Sequence, residues 1–363
     1  MRVGLGVIAG VQGGPARYGL ELVRHLRDAA SDLELVVFTD RPAAFLCLDH
    51  PRLRVVEVPI RRAWEQGVWD IKLLAALRRV KLDLYHGTKG IIPPFAPLPC
   101  VVTIHDLSVF HLPHTFSWLQ RLHQKLLVPR TVAQARRIIA DSHHGAADLR
   151  ATLPLSAEKI RVVPLAAAPM FRPESDETDR RELAKLGVER PYILYAGTLQ
   201  PRKGVEQLVA SFLPLRQDHP ALELVLAGRS RPGYWPAFLQ SPPPGVRYVG
   251  EVRDEQLAAL YRQALVFCSP SRYEGFGLSY LEAMQSGCPV IAPRHTSIPE
   301  VVGDAAYFFG EEGPSLAEAL KEVVNSSLLR HKLRAAGLAR ARQFDWAKTA
   351  TLTLEVYREA LDG

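Results

Sequence analysis

The sequence predicts an α/β protein with two Rossmann-like domains, each a doubly wound parallel sheet, and four observations carry that expectation. Short β-branched runs alternate with longer stretches of helical spacing from end to end. Several runs are apolar at every position, as strands covered by helices on both faces are. The chain has 363 residues, two domains' worth at roughly 150 residues each. A proline-containing, charged seam near 165–190 divides the runs into two sets.

The first set places strands at 2–8, 34–38, 53–58, 83–86, 100–105, 137–140 and 160–164. The second places them at 192–197, 222–228, 246–250, 265–270, 289–293 and 305–309. Helical spacing marks 15–30, 203–217, 254–262 and 328–343, and 344–361 is a long helical pattern with no strand after it. The proline cluster 241–245 reads as a loop. The resulting division is 1–167, 168–343 and a terminal helix in 344–363.

An apolar share of 47% and a charged share of 23% exclude general disorder. No run approaches the ~18 apolar residues of a membrane span, and the opening MRVGLGVIAG reads as a strand and turn, not a signal peptide. The four cysteines, at 47, 100, 268 and 288, form no C-x-x-C pair. Neither a zinc knuckle nor a disulfide scaffold follows, and a cytosolic, reduced protein is expected. Residues 1–167 hold 22 Lys and Arg against 14 Asp and Glu, whereas 168–363 hold 23 against 24. The basic half leaves two readings open: an anionic partner (a membrane surface, a phosphorylated lipid, a nucleic acid) or a solvated basic face.

Ligands of doubly wound sheets bind beyond the carboxyl ends of the strands, so residues at those ends are the candidates. Gly13 and Gly14 follow the first strand and precede a helix, a place where backbone N–H groups approach a phosphate or where the chain turns tightly. Arg202 and Lys203 lie where the helix after strand 192–197 begins. They form either a diphosphate clamp or an exposed basic loop, and cations at a helix N-terminus are disfavoured by the macrodipole. Glu274 lies in the loop after strand 265–270 and Glu282 in the helix that starts near Leu278. Placed on two elements, they suit different hydroxyl groups of one extended ligand; the alternatives are a solvated loop carboxylate and macrodipole stabilisation. His105 ends an apolar strand, and Asp106 beside it suits the task of holding its ring in one tautomer.

The run EGFGLSYLEAMQSGCPVIA, with IPEVVGDAAYFF after it, resembles the E-x7-E signature of glycosyltransferase family 4, the retaining enzymes of the GT-B fold. GGPARY, TIHDLSVF, IIADSHHGAADL and YAGTLQPRKG precede it in family order, so the resemblance spans the chain. The stretch 103–131 looks most like the bacterial branch that uses GDP-mannose. The resemblance implies two domains facing across a cleft, with the last helix crossing back to the first. It implies that Glu274 contacts donor-sugar hydroxyls and Glu282 the ribose, that Arg202 and Lys203 hold the diphosphate, and that Gly275, Phe276, Gly277 and Leu278 supply the loop's contacts to sugar and phosphate. Gly13 and Gly14 would face the diphosphate and His105 would close over the donor sugar. Thr198 departs from the pattern: many relatives carry Arg there, which leaves fewer cations at the diphosphate.

The implied activity is a retaining hexosyl transfer, mannose from GDP-mannose foremost, to a glycan or lipid-linked acceptor in cell-surface polysaccharide synthesis. No metal and no cofactor are expected, since no D-x-D occurs and the cations and a helix N-terminus can stabilise the leaving diphosphate. The acceptor is expected on the first domain near His86, Lys89 and Asp106. The stretch 111–127 is a face for an anionic membrane, which would place the protein at the inner side of the cytoplasmic membrane, a cradle for a polyprenyl-diphosphate sugar, or an ordinary amphipathic helix. A nucleotide-sugar 2-epimerase and a non-catalytic sugar-nucleotide binder are the alternatives. Nucleic acid is not an expected partner, because aromatic and basic positions are not interleaved.

Overall fold

The computed structural model describes residues 1–8, 14–48, 50–60, 69–175, 177–189 and 191–362. The chain forms two compact units, Met1–Ala166 with Asp345–Gly363, and Ala167–Phe344. In the first, β1 (Arg2–Val7), β2 (Glu34–Thr39), β3 (Leu53–Glu57), β4 (Leu84–Gly87), β5 (Cys100–Ile104), β6 (Arg137–Ala140) and β7 (Ile160–Val162) make a seven-stranded sheet in the order β3-β2-β1-β4-β5-β6-β7. Its helices are α1 (Gly14–Ala29), α2 (Trp69–Leu77), α3 (Ser108–His111), α4 (Trp118–Gln134) and α5 (His143–Thr152).

The second unit repeats the plan with six strands. These are β8 (Tyr192–Ala196), β9 (Glu223–Ala227), β10 (Val246–Gly250), β11 (Val266–Cys268), β12 (Val290–Pro293) and β13 (Ala306–Phe309), in the order β10-β9-β8-β11-β12-β13. Its helices are α6 (Glu177–Lys185), α7 (Val205–Asp218), α8 (Asp254–Gln263), α9 (Leu278–Gln285), α10 (Ile298–Val302), α11 (Leu316–Asn325) and α12 (Ser327–Ala341). Every strand pair in both sheets is parallel. The expected strands form, with ends within two residues of the sequence reading.

Burial follows position in the sheet. All residues of β5, β8 and β9 are buried, whereas the edge strands β3 and β10 are largely half-exposed. Central strands flanked by helices are held to mostly apolar residues; edge strands are not.

The last helix, α13 (Trp346–Asp362), packs on α1 in the first unit. Trp346 stacks on His25 with centroids 5.9 Å apart, and Thr349 donates to the Pro164 carbonyl at 2.7 Å. Glu359 bridges Arg137 and Arg161, at 3.0 and 2.7 Å. Among the described residues no helix is long and apolar enough to cross a membrane.

Candidate active site

Strand order in the second unit reverses between β8 and β11, and the loops after those two strands carry the charged candidates. After β8 the chain makes one 3-10 turn, Pro201–Lys203, before α7. Arg202 and Lys203 therefore precede the helix and do not occupy its first turn. Gly204 has φ of +67° and a Cβ there would meet the Pro270 carbonyl at 2.4 Å. Only glycine lets the two loops close together at that point.

That approach brings Lys203 onto Glu274. The ammonium donates to Oε1 of the carboxylate, and Nη1 of Arg202 lies 3.6 Å from Oε2 while donating to the Tyr273 carbonyl at 2.5 Å. All three side chains are mostly buried. Burial pushes the Glu274 carboxyl up, but the charges of Lys203 and Arg202 and the hydrogen bonds of Lys203 and Ser271 outweigh it and hold the group below its usual range. The macrodipole penalty expected of the two cations is thus offset by a carboxylate from the neighbouring strand end.

The Glu274 backbone is pinned as well. Its N–H donates to Thr296 Oγ1 at 3.1 Å, and its carbonyl accepts from Ser297 Oγ at 2.9 Å. Thr296 has φ of +52°, a left-handed conformation that a β-branched residue adopts only under constraint. Gly277, at φ +99°, turns the loop into α9. The Phe276 ring is buried edge-on against Phe344, with centroids 5.8 Å apart, so the backbone is what Phe276 has to offer. Gly275 is buried too, and Leu278 is half-buried at the helix start. Glu282 is buried in α9, where Tyr261 donates to its Oε2 at 3.3 Å.

A third cation joins this end of the sheet. The loop after β9 pairs with the loop after β8: Leu199 N–H donates to the Arg229 carbonyl at 2.9 Å, and Arg231 N–H to the Leu199 carbonyl at 3.0 Å. Burial and the neighbouring charge of Arg202 pull the Arg231 guanidinium down from its usual value.

The first unit carries a pocket of about 230 Å³ at the carboxyl ends of β4 and β5, with Lys89, His105, Asp106, Phe116, Gln120 and Gln124 in its wall. His105 directs Nδ1 to Asp141 Oδ2 at 2.7 Å and Nε2 to the Thr88 carbonyl at 3.0 Å. Asp106 does not hold the ring: its Oδ1 accepts from the Ser108 N–H and hydroxyl at 3.0 and 2.6 Å, which starts α3. His86 also departs from expectation. It has no exposed surface, and its ring nitrogens meet Tyr357 Oη at 2.7 Å and Thr103 Oγ1 at 2.8 Å. Burial and the nearby His105 pull it down to about 3, so it is a neutral core residue and not part of an acceptor surface. Gly14 opens α1 and is exposed; Gly13 lies outside the described residues.

Two family models match this chain, "Glycosyltransferase Family 4" over residues 12–167 and "Glycosyl transferases group 1" over 176–340. The chain is 30% identical to the O-antigen chain mannosyltransferase B of Escherichia coli, over 95% of its own length and 96% of that protein. The chain belongs to glycosyltransferase family 4. Its fold is GT-B: it matches sucrose-phosphate synthase from Thermosynechococcus elongatus with a TM-score of 0.77 at 23% identity, covering 98% of each chain. Anabaena HepE, solved with UDP-glucose, matches with a TM-score of 0.74 at 18% identity, over 99% of this chain and 98% of that one.

In this glycosyltransferase the structure brings Arg202, Lys203 and Glu274 into one charged cluster, and it gathers Lys89, His105 and Asp106 around the other pocket. Sequence reasoning missed Asp141, Arg231 and the Thr296–Ser297 support. Asp141 and Arg231 each follow the end of a strand, the position already used to choose His105 and Glu274, so that signal was present.

Proposed function

We propose that this glycosyltransferase moves mannose from GDP-mannose to a glycan or lipid-linked acceptor in cell-surface polysaccharide synthesis, with retained anomeric configuration and no metal ion. The observation that carries the reading is the meeting of Arg202 and Lys203 with one buried carboxylate, Glu274, at the reversal of strand order, with the charge of Arg202 felt by Arg231. The choice of mannose and of a surface glycan is supported by full-length similarity to an O-antigen chain mannosyltransferase.

When the bond between the anomeric carbon and the diphosphate breaks, negative charge grows on the leaving phosphate. Arg202 and Lys203 are already desolvated and held, so they stabilise that charge with little reorganisation. In the reading, Glu274 gives up part of its hold on Lys203 to accept from donor-sugar hydroxyls, and Glu282 accepts from the ribose. The acceptor hydroxyl attacks on the face the diphosphate leaves, and no protein nucleophile is assigned. Incubation with GDP-mannose, UDP-glucose and dTDP-glucose, each alone and with EDTA, tests this. Slow, EDTA-resistant hydrolysis of GDP-mannose to GDP and mannose is expected. Conversion of a donor to its epimer, or activity that EDTA abolishes and Mg²⁺ restores, would overturn it.

The reading includes an anionic membrane surface at the inner face of the cytoplasmic membrane, supported by α4. That helix buries Val128, Thr131 and Val132 and turns apolar residues outward: Trp118, Leu119, Leu122 and Leu126 are each at least 49% exposed. Spacing of three and four residues sets them along one face, with Lys125 and Arg130 exposed beside them and no acidic residue in the helix. Such a face suits the headgroup boundary of an anionic bilayer. Sedimentation with phosphatidylglycerol vesicles should exceed that with phosphatidylcholine, fall with salt, and be lost in L122S/L126S. Equal, weak binding to both would leave an ordinary solvated face.

A further inference from the structure

His105 and Asp141 occupy matching places on adjacent strands. Ile104 of β5 is in register with Ala140 of β6, so each of the two residues is the next one out along its strand. Both partners of the imidazole are acceptors. The Thr88 carbonyl can only accept, and an ionised Asp141 can only accept. At 2.7 and 3.0 Å, a neutral imidazole would point one bare lone pair at an oxygen lone pair. Two N–H groups satisfy both contacts. The cage is rigid: the Thr88 hydroxyl is tied to the Gly6 carbonyl at 2.7 Å. The Tyr18 ring stands edge-on to His105 with centroids 4.8 Å apart, and its hydroxyl is bound to Thr103 at 2.8 Å.

We propose that Asp141 is a positioning residue that keeps the His105 side chain an imidazolium with both N–H groups turned inward, so that His105 serves the transferase through fixed positive charge and not by passing a proton. The groups facing the ring from each packed element agree. Asp141 at the end of β6 and Asp106 beside His105 are acidic, while Tyr18 on α1 and His86 on β4 stay neutral through burial. Burial alone would discharge the imidazole, and the two carboxylates together with the Thr88 carbonyl reverse that, so His105 stands above the usual histidine value. The arrangement is costly. Asp141 is 2% exposed, and its Oδ1 has no hydrogen-bond partner among the described residues. A carboxylate held so poorly for its own sake fits a residue whose other oxygen serves a neighbour.

The last step, from charge to catalysis, rests on the transferase reading; the charge itself does not. Nitrogen-15 shifts of the histidines, titrated from pH 6 to 9 with H105Q used for assignment, read the ring directly in the full chain. Both nitrogens of His105 should be protonated at pH 7. D141N should lower its proton affinity by about tenfold or more, and D141E should restore it. GDP-mannose hydrolysis should be flat from pH 6 to 7.5 in the wild type and fall across that range in D141N, with GDP affinity unchanged. A neutral His105 at pH 7, or an unmoved titration in D141N, overturns the proposal. A charged ring with unaltered hydrolysis in D141N overturns its catalytic half. If the wild type hydrolyses no donor, the function reading fails and the shifts still decide the charge.

Discussion

Each unit seats a buried carboxylate against a basic side chain at the carboxyl end of its sheet, and the two sites are balanced differently. In the second unit Glu274 meets Lys203 and Arg202, with Arg231 near. In the first, Asp141 meets His105, with the Asp106 carboxylate beside it, backed by a neutral chain of Tyr18, Thr103, His86 and Tyr357. Surplus desolvated positive charge is costly unless an anion arrives to share it. A balanced pair needs no visitor, and what it provides is a fixed orientation. Under the proposed function, the difference puts the anionic part of the donor on the second unit and positioning on the first.

The largest expected effect falls on the surplus charge. K203A should lower GDP-mannose hydrolysis roughly 100- to 1000-fold in kcat, the range seen when one preorganised donor to a developing charge is removed. D141N should cost far less, about tenfold at pH 7. Equal losses in steady-state kinetics would erase the distinction between the two sites.

Removing Glu274 separates stability from binding. E274A leaves two buried cations without their carboxylate and should cost about 3–5 kcal/mol in urea unfolding. GDP affinity by calorimetry should be nearly intact, because the cations remain, while turnover falls. E282A should do the reverse, weakening GDP roughly 10- to 150-fold, the worth of a hydrogen bond to a charged group. A loss of GDP binding in E274A with retention in E282A would exchange their roles.

The smallest effect is on pH. Glu274 is held below its usual value, so its contribution is full above the ordinary carboxylate range, about 4.3, and is lost as pH falls through the folded value. His105 is held above its usual value, so its contribution is full below about 6.5 and is lost as pH rises through the folded value. Urea midpoints should therefore drop at both ends of the range. D141N should remove the alkaline drop alone, and a change at the acid end in that variant would place the coupling elsewhere.

The strands were legible because strands buried on both faces have little choice of residue: 192–196 and 223–227 lie almost wholly in apolar side chains. Glu274, Arg202 and Lys203 were legible because the chemistry of a strand end is local, and their motifs are contiguous. Their meeting was not, since residues 71 apart touch only because β8 lies beside β11. The same limit misplaced Asp106, which is adjacent to His105 in sequence but turns to Ser108, while Asp141, 36 residues away, takes the ring. It also misplaced His86, expected near the acceptor but covered by Tyr357 from the last helix. In the stretch read as helical over 111–127, α4 begins only at Trp118, and it runs on to Gln134. The sequence by itself determined which segments are strands and which residue types stand at the carboxyl end of each. Strand order, which is not sequence order, decided which of those residues share a hydrogen bond, because a parallel sheet makes neighbours of segments that the chain keeps far apart.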